Sequence, residues 1–336
     1  MIPRLDIQFP LKRQWQFWFG KQYEPREGEY LLNHARTGIV MALRATLPKG
    51  GRVGVVTYNC HTVANAIVNA GCTPVFVDVT DDLRIDIESV STDLDAIVVT
   101  NLFGIRNDIS AIRAKCPRAI IIVDNAHGYG LLAEGDFTVY SINQGKFPAL
   151  GEGGILIVKS EELRVKSLIE GLYTQLPSYG FVAQVKLFCS MLVKAIAYSR
   201  CFYWLTMKMK KSTNPKVHEK VTMKQMAPGV RRLYQSWLPA AETEIDKQKR
   251  NAVLTRERLK ELKTESLIGD NAFMLIARCE NPKELKDWFS ARGVETETHF
   301  KYAIDWATEF GYIPGSCPKA EELTKHLLMI PTYKRI

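Results

Sequence analysis

Lys146 stands in the run Ser141-Ile142-Asn143-Gln144-Gly145-Lys146, just ahead of Gly151-Glu152-Gly153-Gly154 and the apolar stretch Ile155-Leu156-Ile157-Val158. Asp124 lies 22 positions upstream of it, at the end of another apolar run, Ile120-Ile121-Ile122-Val123. Two strand-like runs thus deliver a carboxylate and an amine, and the Ser141 hydroxyl precedes the amine by five positions. Pyridoxal phosphate chemistry needs such a set: a lysine that anchors the cofactor, an acid that keeps the pyridine nitrogen protonated, and small or hydroxylic residues for the phosphate. Singly, each residue is weak evidence, because a lysine after a strand is usually solvated and an aspartate at a strand end usually caps or turns.

The elements that must position this set alternate along the chain. Residues 33–46 read as a polar turn opening a helix, with Thr37 and Gly38 at its N-terminus, where free N–H groups and the dipole favour an anion; an ordinary threonine cap is the competing reading. Strands are expected at Val53–Val56, Pro74–Val79 and Ala96–Thr100, and helices at Val63–Ala70 and Ile109–Lys115, with two more strands carrying Asp124 and the approach to Lys146. Short apolar runs separated by helices imply an α/β fold, a mostly parallel sheet in a three-layer α/β/α arrangement. Ligands of such sheets bind beyond the strands' carboxyl ends, where Asn101-Leu102-Phe103-Gly104, Asp124 and Ser141 fall. A long helix over 228–262 is expected to lead into a smaller α+β lobe, with strands at Ala272–Ala277 and Val294–Phe300 and helices at Pro282–Arg292 and Pro318–Leu328. The expected division is a large domain over 1–235 and a small one over 236–336.

Composition limits the alternatives. The chain has 336 residues, 46% of them hydrophobic, enough for a large core in two lobes. Its seven cysteines form no CxxC pair and read as reduced thiols of a cytoplasmic protein; no metal-ligand cluster is expected, and the N-terminus lacks a signal-peptide core. A net charge of +9 fits nucleic acid, an anionic membrane or anionic substrates, but no nucleic-acid-binding signature accompanies it. The stretch 171–220 is an insertion rich in apolar and basic residues. Lys186, Lys194 and Arg200 interrupt its apolar part, Phe181 to Leu205, which argues against a membrane span. It reads either as helical core and dimer interface or as a basic amphipathic helix making peripheral contact with an anionic membrane at its inner face.

Asp124-Asn125-Ala126-His127, Gly135-Asp136, Ser141 to Lys146 and Gly151 to Gly154 together resemble the DegT/StrS-type sugar aminotransferases of the fold-type I pyridoxal phosphate superfamily. The resemblance implies that Lys146 and Asp124 are catalytic, and that Thr37, Gly38, Arg36 and Ser141 surround the cofactor phosphate. His127 stands at the family's Gln/His position on the cofactor ring, and Cys60 at the position of its stacking aromatic, which leaves Tyr58 or His61 to supply a stack. Arg36 replaces a usual glycine. Tyr58 and His299 are candidate substrate residues. The family's cross-subunit Asn is absent from Met223-Lys224-Gln225-Met226, so Lys224 is the candidate phosphate ligand of a homodimer with shared sites. The implied reaction moves an amino group from an amino acid, glutamate by resemblance, to a ketosugar, nucleotide-linked by resemblance, in surface-polysaccharide, lipopolysaccharide or secondary-metabolite sugar synthesis. Another reaction on the same cofactor and a non-enzymatic scaffold remain the alternatives; Lys146 argues against the family's dehydratases, which carry His there.

Overall fold

The computed structural model describes residues 2, 14–199, 202–203, 217–298 and 300–334. Seven strands, β1 (Glu29–Leu32), β2 (Arg52–Val56), β3 (Thr73–Val77), β4 (Ala96–Thr100), β5 (Ile120–Asn125), β6 (Phe137–Ser141) and β7 (Gly154–Val158), form one sheet in the order β1-β7-β6-β5-β4-β2-β3. The pairs from β3 through β6 are parallel, and β7 runs antiparallel to both β6 and β1. Every residue of β4 and β6 is buried, as a sheet covered on both faces requires.

Alternation along the strands divides the core. Val98, Ile122, Val139 and Leu156 face a layer built on Ile39, Val40 and Leu43 of helix α2 (Ala35–Thr46), whereas Ile97, Val99, Ile121 and Val123 face the cluster of Leu233 and Trp237. Helices α3 (His61–Asn69) and α4 (Ile109–Lys115) follow β2 and β4. Asp108 caps α4 by accepting from Ala111 N at 3.0 Å. A second sheet, β10 (Leu327–Pro331), β9 (Met274–Arg278) and β8 (Glu265–Ile268), is antiparallel and packs Leu275, Ala277, Leu328 and Ile330 against Leu259 and Phe289.

Several expected elements differ. The helix over 228–262 is two, Pro228–Trp237 and Ala241–Glu261, joined by a 3₁₀ turn at Leu238–Ala240 where Pro239 cannot continue the hydrogen-bond ladder. The last expected helix ends at His326, because Leu327-Leu328-Met329-Ile330 pairs with β9 as a strand. A short apolar run does not distinguish the two. Among the described residues of the stretch 294–300 no strand forms; its backbone pairs through the isolated bridges Ile2↔Val294 and Glu297↔Met329. Helix α5 (Leu163–Thr174) leads into the inserted segment, which holds α6 (Phe181–Ala197) and whose basic end at residues 208–211 lies outside the described residues. Among the described residues no helix is long and apolar enough to cross a membrane.

Candidate active site

The carboxyl ends of β4, β5 and β6 and the start of α2 enclose a cavity of about 220 Å³. His34, Arg36, Asn59, Cys60, Thr100, Asp124, His127, Ser141, Asn143, Gln144, Lys146 and Phe300 are on its wall. Register explains the gathering: Thr100 pairs with Asp124 at the strand ends, and Ser141 ends the next strand.

Lys146 is carried by the loop between β6 and β7. Asn143 holds that loop in shape: its carbonyl accepts from Lys146 N at 3.0 Å and its Oδ1 from Gly153 N at 2.7 Å. Gly145 turns the chain immediately before the lysine at φ 88°, a left-handed conformation costly for other residues. The side-chain amide of Asn143 is thereby oriented with its NH₂ toward His34 Nδ1, 3.0 Å away. Burial, with the Arg36 charge, pushes His34 down to about 4 despite this bond.

Lys146 Nζ lies 2.7 Å from His127 Nε2. The other ring nitrogen, Nδ1, accepts from Phe103 N at 3.2 Å. A backbone N–H only donates, so Nδ1 is bare and a neutral His127 carries its proton on Nε2. That proton points at Nζ, which must therefore offer a lone pair. The geometry describes a neutral Lys146. Burial lowers the lysine's pKa in the same sense, against the opposing charges of Cys60 and Asp124.

The His127 ring is stacked on Phe103 and Phe273 with centroids 5.2 Å from each, and on Phe300 at 6.1 Å. Phe103 holds φ at 53°, a strained left-handed value that aims its N–H at the imidazole. The turn Gly269–Ala272 between β8 and β9 supports this arrangement from below. Asp270 N donates to Gly104 O at 2.9 Å, and Asn271 Nδ2 to the carbonyls of His127 (2.9 Å) and Tyr129 (3.1 Å). A Cβ on Gly104 would collide with the Asn271 side chain.

Asp124 is buried, and its Oδ1 accepts from Ala126 N at 2.9 Å. Burial raises its pKa against the Ala126 N–H and the Thr100 hydroxyl. Cys60 is set by Asn59, whose Oδ1 accepts from Cys60 N (2.8 Å) while its Nδ2 donates to Thr100 (2.9 Å). Burial pushes the Cys60 thiol up, but the His61 side chain and the Thr62 hydroxyl, which donates to Sγ at 3.1 Å, outweigh it and hold it below its ordinary value.

The sequence candidates do not all reach the wall. Arg36, Cys60, Asp124, His127, Ser141 and Lys146 do. Thr37 is fully buried, with its hydroxyl donating to Asn33 Oδ1 at 2.8 Å, and a Cβ on Gly38 would press on Val139 and Leu156. The start of α2 faces the cavity through His34, Ala35 and Arg36 instead. Tyr58 is buried edge-on against Phe300, and His61 packs on Trp306. The Lys224 ammonium lies over the Tyr179 ring, 4.8 Å from its centroid, and Tyr179 donates to Glu152. His299 lies outside the described residues. His34, Asn143 and Phe300 were not anticipated; Asn143, inside the Ser141–Lys146 motif, was the one with a local signal.

The wall fits pyridoxal phosphate. Arg36 Nε is a buried donor without a partner among the described residues, beside the first turn of α2, and suits a phosphate. The buried Asp124 carboxylate suits a protonated pyridine nitrogen, and Lys146 an aldehyde.

The family model of the DegT/DnrJ/EryC1/StrS aminotransferase family matches residues 31–336, and the chain belongs to that family. It is 27% identical over 172 residues to dTDP-4-amino-4,6-dideoxy-D-glucose transaminase of Shigella dysenteriae, covering 47% of this chain and 45% of that protein. It is 32% identical over 146 residues to UDP-N-acetyl-3-dehydro-α-D-glucosamine 3-aminotransferase of Acidithiobacillus ferrooxidans, covering 38% of this chain and 39% of that one. The matched stretches thus span less than half of either relative. A sugar aminotransferase from Micromonospora echinospora shares the fold with a TM-score of 0.71 at 15% identity, over 99% of this chain and 95% of its own.

Proposed function

We propose that the protein is a pyridoxal phosphate-dependent aminotransferase that moves an amino group from an amino acid, glutamate being the expected donor, to a ketosugar carried on a nucleotide. The observation that carries this reading is the Lys146–His127 contact on the same cavity wall as the buried Asp124. Bound there, pyridoxal phosphate would supply the reactive carbonyl and an electron sink.

The chain's own residues divide the remaining work. Lys146 Nζ, held neutral, is both the covalent anchor and, when displaced, the base that takes a proton from the donor's α-carbon and returns one. His127 orients Nζ through its Nε2–H. The negative charge of Asp124 holds a positive charge on the opposite side, and Arg36 with the first turn of α2 holds the phosphate. Phe103, Phe273 and Phe300 keep water from the back of the imidazole.

We further propose a homodimer in which Lys224 of one protomer serves its partner's phosphate. Within its own protomer the Lys224 ammonium lies over Tyr179, off the cavity wall, which leaves it positioned for such a contact. The test is a spectrum of cofactor-loaded protein titrated first with glutamate and then with nucleotide ketosugars. Glutamate should bleach the long-wavelength band and the right ketosugar restore it. Borohydride reduction should label the peptide carrying Lys146. An amino-acid titration that leaves the spectrum flat, or label on a different lysine, refutes the reading.

A further inference from the structure

Residues 1–23 and 171–218 contain four and seven basic residues against one acidic and none, a net charge of +10 (11 − 1) in a chain whose total is +9. The remainder is therefore close to neutral, at −1. Both segments also carry apolar residues that the fold leaves outside. Helix α1 (Gln14–Phe19) buries Phe17 but exposes Trp15 and Phe19, the latter by 80%. Trp18 of α1 joins α6 through ring contacts with Phe181 at 6.0 Å and Phe188 at 5.5 Å.

Helix α6 is apolar on both sides: Leu187, Phe188, Met191 and Ala195 pack inward against the core, and further apolar residues face out. Its inner side carries Met191, which would meet a Cβ on Gly151 at 2.7 Å and so roofs the loop behind Lys146. Its outward stripe runs Val182, Lys186, Cys189, Val193 and Ile196 at helical spacing, with Val182 exposed by 66% and Val193 by 65%. Lys194 flanks the stripe. A surface helix normally turns charge to water and aliphatic residues inward; α6 turns aliphatic residues to solvent as well, and both of its charged residues are lysines.

We infer that the outward face of α6, with the exposed aromatics of α1, rests on an anionic phospholipid surface. The two halves of the chemistry match the two halves of such an interface: aliphatic and aromatic side chains for the acyl boundary, ammonium groups for the phosphates. A second copy fits worse, because an isologous contact sets this face against its own image, positive against positive. Nucleic acid would answer the charge but leave Phe19, Val182 and Val193 in water. The segment needs no span to be held, since interfacial helices lie in the plane of the headgroups.

The test is co-flotation of the full chain with vesicles of phosphatidylcholine alone and with about one third phosphatidylglycerol. Binding is expected to the anionic vesicles only, to weaken with salt, and to fall about fivefold for each of Lys186→Ala and Lys194→Ala. Val193→Asp, at an exposed position, should abolish it while circular dichroism and the melting transition stay those of the wild type. The inference is overturned if neither vesicle floats the protein, or if all three variants bind like the wild type. It is equally overturned if Val193→Asp dissociates a dimer without changing vesicle binding, or if added RNA displaces the vesicles. None of these readouts depends on turnover, so the inference can fail while the aminotransferase reading stands.

Discussion

His127→Phe tests the protonation state that the site geometry assigns. Phenylalanine keeps a flat ring among Phe103, Phe273 and Phe300 but removes both nitrogens. In the assigned tautomer Nε2–H donates to Nζ over 2.7 Å, which favours the neutral amine. A hydrogen bond of this kind is worth about 1–1.5 kcal/mol, and its loss from the neutral amine should raise the Lys146 pKa in the variant. Were the tautomer reversed, the lysine would donate to a bare Nε2 as an ammonium. Losing that acceptor would lower the pKa instead. The sign alone separates the two. Fractional modification of the apo-protein by an amine-selective reagent, followed across pH with peptide mapping, gives the midpoint for Lys146, and surface lysines in the same digest serve as controls. A midpoint that falls or stays put in His127→Phe refutes the assignment. The stranded Phe103 N–H should also cost about 1–3 kcal/mol of stability.

Three further outcomes are expected. Asp124→Asn should retain much of the cofactor but lose about 10²-fold or more in turnover, because a neutral amide no longer holds charge on the ring nitrogen; near-normal rates in a single-turnover assay would remove that role. His34, pushed down to about 4 from an ordinary 6.5, stays neutral in the fold while the unfolded chain takes up a proton. Stability should therefore be intact above pH 6.5 and fall by up to about 3 kcal/mol as pH drops toward 4, and melting curves of His34→Gln should show a shallower acid slope than the wild type. Finally, Lys224→Ala co-expressed with Lys146→Ala should restore one working site per mixed dimer; if Lys224→Ala alone binds cofactor and turns over normally, the cross-subunit contact is absent.

The sheet and its chemical residues were legible because their signals are local. Apolar runs of four or five residues mark β4, β5 and β7, and the glycines around Lys146 mark a loop that must turn left-handed before and after it. The surroundings of those residues were not legible, because they are assembled from distant positions. His34 meets Asn143 across 109 residues, and Asn271 meets the His127 carbonyl across 144, so no periodicity or spacing records either pair. The start of α2 shows the same limit at short range. Thr37 has the right residue type for an anion site, yet Asn33, itself tied to the backbone of Thr222 and Lys224, takes its hydroxyl and leaves Arg36 at the wall.

The turn Gly269–Ala272 ties the C-terminal sheet to the wall of the candidate site. Through Asp270 and Asn271 it grips Gly104, His127 and Tyr129, the backbone around the imidazole that orients Lys146. A chain cut short before this turn would keep Lys146, Asp124, His127 and Arg36 yet lose the brace that sets their relative positions. Any opening of the β8–β9 hairpin would then disturb the site before the main sheet loosened, so slow amide exchange at Asp270, whose N–H donates to Gly104 O, should report on activity more faithfully than exchange in β4 or β5.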